Sequence, residues 1–267
     1  MQLGVTVRNM GPQSSEKLLR QCAVDAETAG LESVWITDHI AIPPDDSAGS
    51  DGRYLDPLIT LAYLAGVTSQ INLATGVLIL PYRPALPTAK QVATLQELSG
   101  HRLLLGVGIG WMDAEFRALG LDRGQRGAAS DETLRFLRRC FEKDVVEANN
   151  QAFLFRPRPP MPPIYVGGAP PHALRRAARL ADGWLPMGLE PAALADHMIT
   201  YQDLCSAEGR PPGRVTLLRG LPLRDESHCR ALLAEYAEIG LERLVCGVRY
   251  DTSEQFRDQL AVLSRLI

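Results

Sequence analysis

Asp38 and His39 are the only residues in the chain that bring a carboxylate and an imidazole together at the end of a strand-like run, SVWITDH. Histidine can give or take a proton near neutral pH, and a nearby carboxylate can tune it. Adjacent residues of an extended segment point in opposite directions, so the two side chains need not touch. Two interpretations stay open: proton transfer by His39, or Asp38 capping the next turn while His39 packs.

Glycines stand late in the next two apolar runs. Gly76-Val77 lies near the end of residues 71–80, where a glycine marks a bulge, a close approach of backbone to a ligand, or tight packing. In the following run, Gly106, Gly108 and Gly110 alternate. Period two places them on one face of a strand, which indicates that space is cleared there.

These alternating glycines are not a dinucleotide-binding fingerprint. Trp111 stands where the last glycine of G-x-G-x-x-G would need to follow, and three strand units precede it. The Rossmann interpretation is therefore rejected.

A third glycine-rich segment, Gly167-Gly168-Ala169-Pro170-Pro171, joins a strand-like run to a helix-like one. Small residues before a helix leave its first N–H groups open to an anion such as phosphate. The prolines lack this donor, so Gly168, Ala169 or His172 and later residues would supply it. Two glycines also occur in loops that bind nothing.

The elements that must position these residues alternate along the whole chain. Apolar runs without internal alternation are typical of strands buried on both faces. Eight strand–helix pairs predict a closed (β/α)8 TIM barrel, an α/β fold that uses residues 1–267 as one domain. The predicted strands are 3–8, 33–39, 71–80, 102–110, 163–168, 183–188, 214–223 and 243–249. The predicted helices are 14–29, 56–69, 84–98, 130–143, 171–181, 191–208, 226–239 and 253–266.

The middle of the chain is less regular. Residues 111–129 are predicted to be a loop-rich connection, and 151–155 a short extra strand. The proline-rich residues 156–163 are interpreted as a loop that enters the fifth strand. Because functional groups of such barrels sit at the C-terminal ends of strands, Arg8, Arg249 and Tyr250 also become candidates.

Composition excludes several classes of protein. A net charge of -3 gives no electrostatic reason to expect nucleic acid or an anionic membrane as a partner. No apolar run reaches the ~18 residues of a membrane span, and the N-terminus lacks signal-peptide features, so a cytoplasmic location is expected. The five cysteines are scattered and predicted to be buried and reduced. No metal site is expected, because the histidines lack ligand spacing.

Several motifs together resemble the bacterial luciferase-like monooxygenase superfamily. They are VWITDH, the segment from LATGVLILPYRP to GVGIGW, Glu115-Phe116 with Leu119-Gly120, PPIYVGG and ALRRAARLADGW. The resemblance is closest to the branch that uses the deazaflavin coenzyme F420. It implies a TIM barrel that holds a flavin or deazaflavin ring at the C-terminal ends of its strands, and relatives are often homodimers.

By that resemblance, roles fall on particular residues. Many relatives carry a non-prolyl cis peptide in strand three that presses on the ring, and this falls on Gly76-Val77. The cofactor phosphate falls on Gly167 to Ala169. The residue matching Asp38 lies near the ring, and the one matching His39 transfers a proton in some relatives. Gly108 is expected to line the cofactor site.

Some residues depart from the family pattern. Trp111 replaces the carboxylate that follows the strand-four glycines in sugar-phosphate dehydrogenase relatives, which counts against the same substrate. Between Arg126 and Asp131 the chain has Gly127-Ala128-Ala129-Ser130, where close relatives often carry another arginine, and Pro170 replaces a common serine. We expect a small-molecule substrate to meet Trp111 and also the side chains Arg8, Arg83, Arg249 and Tyr250.

Three functions are open at this stage. The first is hydride transfer between coenzyme F420 and a small organic substrate, with His39 moving the proton. The second is FMN-dependent monooxygenation on the same fold. The third is a non-catalytic flavin-binding protein.

Overall fold

Parallel strands form a closed barrel in the computed structural model, which describes all residues from Met1 to Ile267. The strands are β1 (Gln2–Thr6), β2 (Ser33–Ile36), β3 (Asn72–Thr75), β4 (Leu78–Ile79), β5 (Leu103–Gly108), β6 (Val145–Ala148), β7 (Gln151–Leu154), β8 (Ile164–Gly167), β9 (Gly183–Leu185), β10 (Arg214–Arg219) and β11 (Arg243–Cys246). The barrel sheet has nine segments in the order β3-β2-β1-β11-β10-β9-β8-β5-β4, and pairing of β3 with β5 closes it. β3 and β4 are two parts of one strand, so the barrel has eight strands, as predicted.

Helices surround the barrel. They are α1 (Glu16–Thr28), α2 (Pro57–Ala65), α3 (Ala85–Leu98), α4 (Asp113–Ala118), α5 (Arg126–Glu142), α6 (His172–Leu180), α7 (Pro191–Ala207), α8 (Glu226–Glu238) and α9 (Ser253–Ser264). None of them is long and apolar enough to cross a membrane.

Local sequence explains where several helices begin. Ser15, Asp56, Asp225 and Thr252 each accept a hydrogen bond at a helix N-terminus from the backbone N–H three residues on. Such caps satisfy donors that the helix itself leaves unpaired. Gly30, after α1, has a φ of 79°, the left-handed conformation predicted for it.

The apolar core has two parts that follow the alternation of strand side chains. One cluster lies between the barrel and the helices and contains 58 buried residues. A smaller cluster of 6 residues, with Trp35 and Tyr165 at its centre, comes from the opposite strand faces and fills the barrel interior. All five cysteines are buried and unpaired, as predicted.

A buried cation closes the N-terminal end of the barrel. The Arg243 guanidinium donates to both carboxylate oxygens of Glu32, at 2.7 and 2.9 Å. It also donates to Gln2, Thr216 and Tyr165. A bidentate pair with this many partners compensates the desolvation of the charge. The open end of the barrel is therefore the other one, where the strands finish.

The third strand is interrupted. β3 pairs with β2, whereas β4 pairs only with β5. Between them, the Gly76-Val77 peptide bond is cis, at the position that the family resemblance implies. The glycines of β5 face this interruption: a Cβ on Gly106 would lie 2.0 Å from the carbonyl oxygen of Thr75, and one on Gly108 2.5 Å from Val77 Cγ2. The space beside these glycines thus holds strand three, which corrects the prediction that it is free.

Residues 111–129 contain more structure than the sequence predicts. The six residues of α4 lie in the predicted loop, and α5 begins at Arg126 and not at residue 130. Residues 151–154 form the predicted extra strand, but it pairs with β6 in an antiparallel hairpin outside the barrel. Six residues are too few to show a helical period, and this explains why α4 was missed.

Gly106→Ala is expected to destabilise the barrel by about 1–3 kcal/mol, because the added methyl meets backbone that cannot rotate away. Urea unfolding measures the loss. In the matched control Gly66→Ala, the new Cβ would lie 3.5 Å from the Tyr63 carbonyl oxygen, an ordinary contact. A Gly106→Ala protein as stable as this control would contradict the close packing described for strand three.

Candidate functional site

A cavity of about 480 Å³ opens at the C-terminal ends of the barrel strands. The ends of β2, β5, β9 and β10 line it, together with the cis segment and the turn after β8. Its volume lies in the range of small-molecule sites, and its position is the usual one for ligands in this fold. Of its 17 lining residues, seven are hydrophobic and five are glycines, and the other five are Thr37, Asp38, His39, Arg123 and Arg126.

Val77 occupies the floor of this cavity. Glycines in two neighbouring strands make room for its side chain: a Cβ on Gly108 would come within 2.5 Å of Val77, and one on Gly167 within 2.7 Å. Leu185 and Leu218 continue the apolar surface beside it. A flat, apolar ligand would therefore rest on Val77 and its neighbours.

Asp38 is engaged in an ion pair and not with His39. Its carboxylate accepts two hydrogen bonds from the Arg83 guanidinium, at 2.6 and 2.9 Å, and one from the backbone N–H of Ile79 at 2.8 Å. Burial raises the pKa of Asp38, while Arg83 and the Ile79 N–H act in the opposite direction. Arg83 also reaches Asp56, the cap of α2. Arg83 thus holds two carboxylates together outside the cavity lining, and contact with a substrate stays a prediction for it.

His39 finds its carboxylate elsewhere in the chain. Its Nδ1 lies 2.9 Å from Oε2 of Glu115, in α4, 76 residues away. The imidazole lines the cavity and packs against Tyr54 and Trp111, with ring centroids 4.9 and 6.2 Å apart. Histidine held through one nitrogen and facing a cavity is arranged for proton transfer through the other.

Glu115 is completely buried, and each of its oxygens has two partners. One oxygen accepts from the backbone N–H groups of Ile40 and Ala41, and the other is shared by His39 and the Tyr82 hydroxyl. Burial alone would raise the pKa of Glu115, but these hydrogen bonds outweigh it and hold the pKa below its ordinary value. The N–H groups of Ile40 and Ala41 and the Tyr82 hydroxyl all donate to Glu115, the arrangement that suits an ionised carboxylate.

Two arginines supply positive charge at the edge of the cavity. Arg123 and Arg126 both line it, as does the Gly167-Gly168 turn that precedes α6. Arg126 donates from Nη1 to the Arg123 carbonyl oxygen, but its Nε is buried and has no partner. A buried donor without a partner is costly, so a ligand that accepts from it would gain affinity.

The structure brings together most of the residues that the sequence singled out. Those that line the cavity are Asp38, His39, Gly76, Val77, Gly108, Trp111, Gly167 and Gly168. Ala169 is exposed beyond the lining.

Three predicted substrate residues lie away from the cavity. Tyr250 is buried, and its hydroxyl accepts from the backbone N–H of Arg8 at 2.8 Å. The Arg8 guanidinium contacts the carbonyl oxygens of Tyr250 and Gly49, and Arg249 is exposed at the surface. These residues join the first and last loops of the barrel mouth, and contact with a substrate stays a prediction for them.

Sequence reasoning missed the roles of Glu115, Tyr82, Arg123 and Arg126. Glu115-Phe116 carried part of the family resemblance, and this was the one available signal. A carboxylate at the beginning of a short helix otherwise looks like an ordinary first-turn residue.

The closed parallel barrel, with a ligand-sized cavity and a histidine–carboxylate pair at its C-terminal end, defines a TIM-barrel protein with its site in the customary place. The chain belongs to the luciferase-like monooxygenase family, whose model matches residues 3–243.

Relatives with known and unknown activities resemble the chain. An uncharacterized protein of Mycobacterium tuberculosis is 35% identical over 187 residues, which are 63% of this chain and 65% of the relative's length. The F420-dependent glucose-6-phosphate dehydrogenase of Kineococcus radiotolerans is 33% identical over 62% of this chain and 51% of its own length. An F420-dependent secondary alcohol dehydrogenase in complex with an F420-acetone adduct has the same fold, with a TM-score of 0.81 and 16% identity over 100% of this chain and 99% of its own.

Arg83→Met is expected to lower the free energy of unfolding by about 3–5 kcal/mol, because it leaves the buried Asp38 carboxylate without its counter-ion. The double variant Asp38→Asn/Arg83→Met should recover part of this loss. Urea unfolding of the singles and the double gives the coupling energy.

The matched control for this variant is Arg117→Met. Arg117 forms an exposed ion pair with Asp113, in which the side chains are 70% and 61% exposed. Such pairs contribute about 0–1 kcal/mol. Equal losses of unfolding free energy for the two arginine variants would show that the buried Asp38–Arg83 pair stabilises the protein no more than an exposed pair does.

Proposed function

We propose that the protein is an oxidoreductase whose cavity binds a phosphate-bearing deazaflavin or flavin, coenzyme F420 in the first place and FMN as the alternative. His39 would transfer a proton to or from a small organic substrate. The observation that carries the proposal is one cavity with an apolar floor, a proton-transfer histidine on one side and a buried, unpartnered arginine Nε on another.

The cavity suits a planar ring with an anionic tail. Val77, Leu185 and Leu218 give an apolar surface. The neighbouring glycines add no side chains that would occupy the space beside Val77. Arg126 Nε and the turn at Gly167-Gly168 offer donors to a phosphate. These residues fit both cofactors, since the two share a tricyclic ring and a phosphate.

Such a cofactor, when bound, supplies hydride transfer, or oxygen activation where it is a reduced flavin. The chain's own residues do the rest. Val77 and its neighbours support the ring and exclude water from that face. His39 holds or releases the proton, and Glu115 keeps the imidazole in place.

The His39–Glu115 pair favours an enzyme over a protein that only binds a cofactor. A carrier gains nothing from a charged, buried carboxylate that fixes an imidazole toward the ligand cavity. Burying that charge requires four donors and a dedicated helix, α4.

We also propose that the substrate is uncharged and largely apolar. The mouth carries two exposed apolar side chains, Trp111 (64% exposed) and Met187 (68% exposed). The one carboxylate in the lining, Asp38, is paired with Arg83. A cationic substrate would thus find no counter-ion, and the two arginines at the edge are assigned to the cofactor phosphate.

The cofactor assignment is tested by titrating the purified protein with F420, FMN, riboflavin and dephosphorylated deazaflavin, following fluorescence. The phosphorylated forms should bind more tightly. Arg126→Met should reduce this preference roughly 10- to 150-fold, the range for a hydrogen bond between charged groups. Arg117→Met is the control that should keep it. If the wild-type protein binds none of the four compounds, the proposed function is rejected.

Trp111→Ala is expected to weaken binding of an uncharged aromatic ketone to the cofactor-loaded protein by roughly 5- to 30-fold, since about 1–2 kcal/mol of aromatic contact is lost. Acetophenone and its anionic relative 4-acetylbenzoate form a matched pair, and perturbation of the cofactor spectrum reports binding. Preference of the wild-type protein for the anion would contradict the assigned substrate class.

A further inference from the structure

We propose that Glu115 is a positioning residue that holds His39 as the Nδ1–H tautomer, so that Nε2 is the atom that exchanges the proton in the cavity. This inference rests on the proposed function for its chemical use, but the tautomer itself is a property of the protein alone.

The contacts of Glu115 determine which nitrogen of His39 carries hydrogen. Oε1 accepts from the N–H groups of Ile40 and Ala41, at 2.6 and 3.0 Å. Oε2 accepts from the Tyr82 hydroxyl at 2.9 Å and lies 2.9 Å from His39 Nδ1. An ionised carboxylate has no hydrogen to give. Nδ1 must therefore be the donor, and the neutral ring presents an unprotonated Nε2.

The same carboxylate also fixes the direction of the ring. Ile40 and Ala41 directly follow His39 in the chain. Oε1 of Glu115 therefore binds the backbone next to His39, while Oε2 binds the imidazole ring. Behind Glu115, Phe116 packs edge-on against Tyr82 with ring centroids 5.1 Å apart. This apolar contact holds α4 in place, and α4 holds the carboxylate.

The one acid that lines the cavity does not compete for this role. Asp38, which precedes His39 in the sequence, is occupied by Arg83 and by the Ile79 N–H. Trp111 stands at the strand end where an acid would be a second candidate. One histidine therefore carries the proton in both directions.

The proton balance can be written for an alcohol and ketone pair, one uncharged class that fits the proposed function. In oxidation, Nε2 would take the hydroxyl proton and the ring would become an imidazolium, while an oxidised deazaflavin or flavin would supply the acceptor for the carbon-bound hydrogen and its electron pair. The C–O single bond would become a carbonyl. In the reverse direction, Nε2 would return the proton to the oxygen. Glu115 stays ionised throughout and stabilises the imidazolium.

Glu115→Gln should invert the tautomer. The two backbone N–H groups of Ile40 and Ala41 require an acceptor, so the amide oxygen takes the place of Oε1. The amide NH₂ then lies against His39 Nδ1 and the Tyr82 hydroxyl. A donor at that place forces Nδ1 to accept, and the hydrogen moves to Nε2. A carboxylate-to-amide change beside a catalytic histidine acts in this way in serine proteases.

Long-range ¹H–¹⁵N correlation spectra of ¹⁵N-labelled protein distinguish the tautomers without any activity. His39 signals are assigned with His39→Gln. The wild-type ring is expected to carry hydrogen on Nδ1 when neutral. If it is doubly protonated, raising the pH should remove the hydrogen on Nε2 first. Loss from Nδ1 instead, or a neutral Nε2–H ring, would overturn the proposal.

Two variants keep this test decisive. Glu115→Gln should show the Nε2–H ring, and an unchanged Nδ1–H ring in a folded variant counts against the proposal. Tyr82→Phe keeps the carboxylate and should keep the Nδ1–H ring, which separates the effect of the charge from that of losing one hydrogen bond. If Glu115→Gln does not fold, the wild-type and Tyr82→Phe spectra still decide.

Turnover gives an independent readout once a substrate is in hand. Glu115→Gln should lower kcat roughly 100- to 10,000-fold, the contribution of a positioned acid–base group, with cofactor affinity and KM little changed. A parallel fall in cofactor affinity would indicate a merely structural role. Absence of cofactor binding with the expected tautomer would reject the proposed function and leave the role of Glu115 standing.

Discussion

The interruption of the third strand at Gly76-Val77 is the constraint on which the rest of the site depends. Val77 enters the barrel mouth only because Gly108 and Gly167 lack a Cβ. In β4, after the interruption, the N–H of Ile79 donates to the Asp38 carboxylate, which also binds Arg83. The segment between these contacts carries Tyr82, whose hydroxyl reaches Glu115. The cavity floor and the His39–Glu115 pair are therefore connected through one short stretch of backbone.

Two buried carboxylates, Asp38 and Glu115, lie near the end of β2. Their different partners give them different roles. Asp38 is matched by the full positive charge of Arg83, so it fixes the segment that carries Ile79 and Arg83. Glu115 is matched by neutral donors and an imidazole, so its charge is available to His39. If Glu115 were paired with an arginine, as Asp38 is, the arginine would neutralise the carboxylate. His39 would then be held in place without a negative charge beside it.

The sequence was sufficient for the barrel but only for part of the site. Continuous apolar runs and capped helices predict the eight strand–helix units, since both signals are local. Strand ends identify His39 and the glycines by the same logic. The role of Glu115 was not predicted, because Glu115 and His39 are 76 residues apart in the sequence and the helix that carries Glu115 is only six residues long. The sequence could not show that Arg8 and Tyr250 lie outside the cavity lining, because a strand end does not reveal whether its loop turns toward the cavity or away from it.

The alternating glycines show why a pattern can be recognised correctly and explained wrongly. Period two placed Gly106 and Gly108 on one face, as the structure has them, but the neighbour that needs this space is the backbone and side chain of strand three. A ligand benefits only indirectly, through the surface that Val77 then presents. A change at any of these glycines would therefore displace Val77 and, through Ile79 and Tyr82, the carboxylate that contacts His39.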